Sequence, residues 1–212
     1  YGQNRIGYVV KNPLYDDHGQ PQYIIGSTVD ITEHKQVQQQ IDNELEMLKL
    51  QIADAPLLAV LEQFTRSFEV TFPGTMCSIL LLDELGLHLN HGVAPSLPAA
   101  YCKAIDGIAI GMGVGSCGTA AYTGQATIVA DIASDPLWKD FAGLALSHGL
   151  ASCWSIPIIS TKGRVLGTFA NYHAYPCSPQ PIELQAIKRA AYLIGLAIEH
   201  DRVEKQLAED QR

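Results

Sequence analysis

The hydrophobic period of this chain changes abruptly at Asp30, and that change organises everything around it. Before it, Arg5 to Tyr15 and Tyr23 to Val29 are rich in Ile, Val and Tyr, and Asp16-Asp17-His18-Gly19-Gln20-Pro21 between them supplies turn chemistry. This pattern predicts a β-hairpin. After it, apolar residues recur at Ile41, Leu45, Leu48, Ile52 and Ala55, spaced four, three, four and three apart. Such spacing is a heptad seam on a helix. Asp30 with Glu33 three residues on has the form of a capping box at its start, and Pro56 marks a break or a fresh helix start. A helix packed on its own domain would carry such a stripe, and so would a two-chain coiled coil. The narrow stripe, flanked by Gln, Glu and Lys, favours the coiled coil. Two strands cannot bury a core alone, so the hairpin is expected to close a larger sheet, with the chain beginning in mid-domain.

Charge removes some function classes. Fourteen Lys and Arg against 22 Asp and Glu give a formal net charge of −8, with the basic residues scattered. That balance repels phosphate backbones, so no nucleic-acid partner is expected. No run of 18 apolar residues appears, and Tyr1-Gly2-Gln3-Asn4-Arg5 has no signal-sequence form. Membrane insertion by this segment is therefore not expected. The five cysteines, 77, 102, 117, 153 and 177, form no Cys-x-x-Cys pair. They read as reduced thiols, which predicts a cytoplasmic location and no clipped metal.

From Leu57 to His200 the pattern is α+β. Met76 to Asp83 is a nearly continuous apolar strand, Glu84-Leu85-Gly86 turns it, and Leu87 to Val93 returns. A short helix is expected at Leu97 to Ala104, followed by a Gly-rich loop with Gly111, Gly113, Gly115 and Gly118 that runs into a helix from Thr119. Strands follow at Thr127 to Ile132, Cys153 to Ser160 and Arg164 to Tyr172, with a helix from about Lys139 to Ser147 between the first two. From Pro181, a closing helix presents Leu184, Ile187, Ala191, Ile194 and Ile198 on one face and continues as a polar stretch through Asp201 to Arg212.

Two resemblances attach to these residues. Tyr23 to Lys35, with Asp30-Ile31-Thr32 at its centre, resembles the closing strand and exit motif of a PAS domain, where that motif couples the last strand to a signalling helix; His34 stands where Arg is usual. Gly115-Ser116-Cys117-Gly118-Thr119-Ala120-Ala121-Tyr122, Asp131-Ile132, Asp135-Pro136-Leu137-Trp138, His148-Gly149-Leu150, Cys153-Trp154-Ser155-Ile156-Pro157 and Gly167-Thr168-Phe169-Ala170 together resemble a GAF domain of bacterial sensory proteins. The resemblance implies a six-stranded antiparallel sheet with terminal helices on one face and a ligand pocket on the other. The implied layout is a PAS end over 1–32, a linker helix over 33–56, a GAF domain over 57–200 and an output helix from 201 to 212. It also implies a kinase or cyclic-di-GMP output domain in the longer protein. The heptad seam, with the need of two adjacent output domains to meet, predicts a parallel homodimer through helices 33–55 and 181–207.

The candidate ligand-binding residues are Ser116, Cys117, Gly118, Thr119, Trp138, Phe141, His148, Trp154 and Phe169. The glycine loop lacks the Lys-Ser/Thr of a P-loop, so its use is either to present helix-start amides to a small polar group or only to allow close packing. Cys117 stands near a helix start, where the dipole favours a thiolate. A redox role and a buried structural thiol are its two readings. Free methionine sulfoxide reductase, of related fold, also has a Cys before Gly-Thr-Ala, which keeps an enzyme reading open. Trp138 and Trp154 are expected to wall one cavity with Phe141 and Phe169. For His148, a backbone partner at a helix end competes with haem ligation or proton transfer and is preferred. No cysteine is followed by the His or Leu that marks bilin attachment in related GAF domains, so neither haem nor bilin is expected. The function that follows is a sensory module binding a small molecule, against a ligand-free dimerisation module or a redox enzyme.

Overall fold

The computed structural model describes residues 7–15, 20–30 and 55–210, and the chain divides into two compact units, Tyr1–Ala53 and Asp54–Arg212. In the first, β1 (Gly7–Tyr15) and β2 (Pro21–Asp30) pair antiparallel from Gly7 opposite Asp30 to Leu14 opposite Tyr23, with a register shift at Tyr15. This is the expected hairpin. Val9, Val10 and Val29 on it are exposed. The turn residues 16–19, the capping box beyond Asp30 and the seam residues Ile41 to Ile52 lie outside the described residues.

The second unit starts where Pro56 caps α1 (Leu57–Thr71). It continues through β3 (Met76–Leu82), β4 (His88–Val93), α2 (Ala99–Ile105), the short β5 (Ile108–Ala109), α3 (Gly115–Thr123) and β6 (Thr127–Val129). A single 3₁₀ turn at Pro136–Trp138 leads to α4 (Ala142–Ser147), β7 (Ser152–Ile159), β8 (Val165–His173) and the long α5 (Pro181–Asp210). The six strands form one antiparallel sheet in the order β5-β4-β3-β8-β7-β6.

The sheet separates two cores, because successive side chains of a strand point to opposite faces. On one face α1 and α5 cover Cys77, Ile79, Trp154, Ile156, Ile158 and Phe169. Leu61 supplies the contact from α1, and Ile187, Ala191, Ile194 and Ile198 supply it from α5. Leu61 and the three isoleucines of α5, fully buried, each stabilise the domain by about 1.5–3 kcal/mol. On the other face α2, α3, the 3₁₀ turn and α4 cover Leu80, Cys153, Ala170 and Tyr172.

Three expected boundaries move. α3 begins at Gly115 rather than Thr119, since Gly115 adopts a left-handed φ of 55°, and a Cβ there would stand 3.5 Å from the Trp138 ring. The strand expected over 127–132 ends at Val129. Beyond it, Asp131 takes the Ala133 N–H and the Ser134 hydroxyl in a local turn that competes with pairing. The helix expected from Lys139 begins at Ala142, because Asp135 caps Pro136–Trp138 by accepting from Leu137 N–H at 2.9 Å and spends those residues on a separate turn.

Candidate functional site

A small cavity lies between the sheet and the α2, α3, α4 layer. Its floor is Leu80 and Tyr172; α2 contributes Tyr101 and Ile105, and α3 contributes Gly115, Cys117 and Gly118. Trp138, Phe141 and Leu144 close it from the 3₁₀ turn and α4. The space open to the centre of a water-sized sphere is about 20 Å³. That is room for one water or a molecule of comparable size.

A chain of hydrogen bonds ties this lid to the sheet. Trp138 Nε1–H donates to Ser116 Oγ at 3.0 Å, and the Ser116 hydroxyl donates to the Cys153 carbonyl at 3.1 Å. The Ser116 residue is completely buried, so both bonds are made away from water. Thr119 Oγ1–H donates to the Gly111 carbonyl at 3.4 Å, and Gly111 N–H returns to the Gly118 carbonyl, which pins the Gly-rich loop to α3. A Cβ on Gly118 would stand 2.7 Å from the Val114 side chain. Close packing is therefore one job of this loop.

The nine expected site residues separate into four groups. Cys117, Gly118, Trp138 and Phe141 line the cavity, together with Gly115, which was not among them. Ser116 and Thr119 stand behind it with their hydroxyls already bonded. His148 ends α4, its Nδ1–H donating to the Leu144 carbonyl at 2.9 Å, and its ring lies 5.8 Å from that of Tyr101. Trp154 and Phe169 are elsewhere. They point to the opposite face of the sheet, where Phe169 meets Phe68 edge-on at 5.3 Å and Trp154 packs on His173 at 4.2 Å. The expectation that both tryptophans wall one cavity is thus corrected by strand parity: Cys153 and Ser155 face the cavity side and Trp154 between them cannot. Tyr101, Tyr172 and Cys153 were missed. For Tyr172 and Cys153 the signal was the alternation Thr168, Ala170, Tyr172 along β8, which register places beside Pro157, Ser155 and Cys153.

The electrostatics of the site centre on Cys117. Its thiol is lowered to about 7, chiefly by a hydrogen bond with Cys153, and further by Tyr172, Ser155 and Thr168, against the opposing effect of burial. The Tyr172 hydroxyl is 3.6 Å from Cys117 Sγ. Burial, and then the Cys117 neighbour, push Cys153 up; burial above all does the same to Tyr172 and Tyr101. The two thiols titrate as a coupled pair, with Cys117 the lowered and Cys153 the raised partner. Among the described residues no three His, Cys, Asp or Glu side chains gather as a metal site.

Comparison with known proteins agrees with this architecture. A curated relative, the methyl sulfide methyltransferase-associated sensor of Methanosarcina acetivorans, is 37% identical over 186 residues, which cover 88% of this chain and 19% of the relative. The chain thus spans about a fifth of that protein's length. Among solved structures, the GAF domain of a phosphoenolpyruvate-protein phosphotransferase from Coxiella burnetii superposes with a TM-score of 0.62 at 18% identity, covering 78% of this chain and 96% of its own. Free methionine-R-sulfoxide reductase from Neisseria meningitidis, solved with its substrate, gives 0.57 at 19% identity, covering 76% and 89%. At such identities the likeness is one of fold. The GAF domain family pattern matches residues 54–199, and this chain belongs to the GAF domain family.

Proposed function

We propose that this chain is a sensory module of a longer cytoplasmic signalling protein, and that its GAF cavity takes a small molecule. The observation that carries the reading is the aromatic lid Trp138 and Phe141, hung on α3 and β7 through Ser116, over a cavity on the face away from α1 and α5. A ligand larger than water has to push that lid outward, and the Ser116 relay passes the displacement directly to β7. From β7 the movement reaches α5, which lies on the other side of the same strand. The hairpin and the Asp30-Ile31-Thr32 motif are read as the end of a PAS domain that feeds the linker helix. The output is a kinase or a cyclic-di-GMP enzyme, reached through paired helices of a homodimer. The Methanosarcina acetivorans relative is a sensor, which supports the reading.

Absorption spectroscopy and native mass spectrometry of the purified chain test it by revealing a retained metabolite, haem or bilin. Titration of the identified molecule is expected to change Trp138 fluorescence, and that change is expected to disappear in Trp138→Phe. A protein that purifies empty, and whose fluorescence answers no small molecule, is instead a dimerisation module, a reading that the small cavity also suits. The lowered Cys117 thiol beside Cys153 favours one further alternative, a reductase. Turnover of free methionine sulfoxide by the wild type, abolished in Cys117→Ser, would replace the sensory reading with an enzymatic one.

A further inference from the structure

The lining of the cavity restricts its occupant more sharply than its size does. Leu80, Ile105, Ile108, Val114 and Leu144 give it hydrocarbon walls, and Trp138 and Phe141 add aromatic faces. Among the described residues, no Asp, Glu, Lys, Arg or His lines it. His148, at the end of α4, sets its ring 5.8 Å from that of Tyr101 and spends its Nδ1–H on the Leu144 carbonyl. The polar side-chain groups of the lining are the Trp138 indole N–H, the Cys117 thiol and the hydroxyls of Tyr101 and Tyr172. The indole N–H is already given to Ser116 Oγ at 3.0 Å. Tyr101 and Tyr172 are 2% and 1% exposed, with rings meeting edge-on at 5.8 Å.

Tyr172 keeps one bond to offer. Its oxygen lies 3.6 Å from Cys117 Sγ. If the thiol donates, the phenol O–H is left to donate elsewhere; if the phenol donates, its oxygen is left to accept. A phenol therefore meets either kind of partner, but only a single one. A buried water needs two to four polar partners, so walls like these hold water poorly and apolar matter well. A carboxylate or phosphate would leave its hydration for a place without a cation, and an ammonium group for one without an anion.

We propose that the ligand of this cavity is an uncharged molecule of a few non-hydrogen atoms, apolar over most of its surface, with one hydrogen-bonding group set against the Tyr172 hydroxyl. Short ketones, alcohols and ethers have this chemistry, whereas nucleotides, organic acids and zwitterionic amino acids bring a charge that nothing in the lining answers. The proposal rests on the sensory reading of the same cavity and deepens it by naming the ligand's class. Trp138 and Phe141 report the ligand because about 20 Å³ cannot take it without moving them. A ligand of about four non-hydrogen atoms reaches a Kd of tens of micromolar at the very best. Moving the lid weakens that further, so the response belongs to millimolar concentrations.

The test is a ¹H–¹⁵N correlation spectrum of the full 212-residue chain, whose two tryptophans give two indole signals. One of them is an internal control. Trp138 closes the cavity, while Trp154 packs on the opposite face of the sheet with its Nε1–H on the Cys177 carbonyl at 2.9 Å. Acetone and acetate, alike in size and shape, differ in charge. Acetone is expected to shift the Trp138 indole saturably in the millimolar range and leave Trp154 in place, and acetate to bind roughly a hundredfold more weakly. Tyr172→Phe is expected to weaken acetone roughly fivefold while xenon under pressure, read on the same indole, binds as in wild type.

Acetate moving Trp138 as strongly as acetone, or neither probe moving it, would overturn the proposal. Equal loss of acetone and xenon in Tyr172→Phe would overturn the placement against Tyr172. Should that variant fail to fold, the two probes on wild type decide alone. A charged metabolite that moves Trp138 where acetone does not sinks the ligand class and leaves the sensory reading standing. A Trp138 signal that answers no molecule, charged or neutral, ends both.

Discussion

Ser116 shows how much one small side chain carries here. Its hydroxyl accepts from Trp138 Nε1–H and donates to the Cys153 carbonyl, so Ser116→Ala leaves an indole N–H unpaired in the core and takes one bond from that carbonyl. That loss is expected to cost about 1–3 kcal/mol, or a fall in melting temperature of roughly 2–4 °C for each kcal/mol in a chain of this size. Differential scanning calorimetry checks it; a melting temperature unchanged from wild type would mean the relay is not made. Cys117 leads to a pH prediction. Its folded pKa, about 7, lies below the ordinary value of 9.0, so between these pH values the folded state has released a proton that the unfolded state still holds. Its contribution is therefore fully present above pH 9, and is lost as pH falls through 7. Cys153, Tyr101, Tyr172 and Cys102 are raised, and they withdraw stability as pH climbs past the ordinary values of their thiols and phenols. Melting temperature is expected to rise from neutral pH to a mildly alkaline maximum and then fall, and Cys117→Ser to lose the rise while keeping the fall. That Cys117, Trp138 and Phe141 lie together at one cavity was legible because they sit in turns and at a helix start, close to the Gly-rich loop. Trp154 and Phe169 were not, since one residue of strand parity decides between cavity and opposite core, and composition carries no parity.

Elements were legible wherever a single period dominates. The spacing of Ile187, Ala191, Ile194 and Ile198 located α5, and all four are buried. Ile194→Ala is expected to cost about 2–5 kcal/mol through the cavity it leaves, whereas Val203→Ala on the exposed continuation should stay within about 0.5 kcal/mol; urea unfolding with tryptophan emission distinguishes the two. The start of α3 was misread for a physical reason. Glycine reads as loop because it weakens helices in isolation, but here Gly115 supplies a left-handed entry beneath Trp138, and Gly118 lets Val114 approach the helix. Gly118→Ala pushes a methyl group into the Val114 side chain and is expected to destabilise the domain by about 1–3 kcal/mol, despite the better helix propensity of alanine. A variant as stable as wild type in the same urea titration would show that the contact relaxes freely.

At the scale of the whole chain, the question is what the outer face of α5 is for. Ile182, Tyr192, Val203 and Leu207 are all exposed, from 47% at Tyr192 to 72% at Ile182. At roughly 100° per residue the four fall within an arc of about 80°, on the side of the helix opposite the buried Ile187 to Ile198 stripe. A second apolar stripe on a helix already packed on its sheet is surface that another helix can cover, and 11 residues separate Tyr192 from Val203, a near-integral three turns that keeps them in line. The proposed homodimer would cover this stripe through α5. Light scattering at tens of micromolar is expected to give twice the chain mass. Val203→Glu with Leu207→Glu places like charges in the seam and is expected to give the monomer, with the core of Leu61, Ile187 and Ile194 and its melting temperature little changed. Deleting residues 1–29 is expected to leave both the dimer and that melting temperature intact, because both cores are built from residues after Pro56. A monomeric wild type, or a dimer indifferent to both glutamates, would remove α5 from the interface and with it the route by which the GAF cavity is proposed to signal.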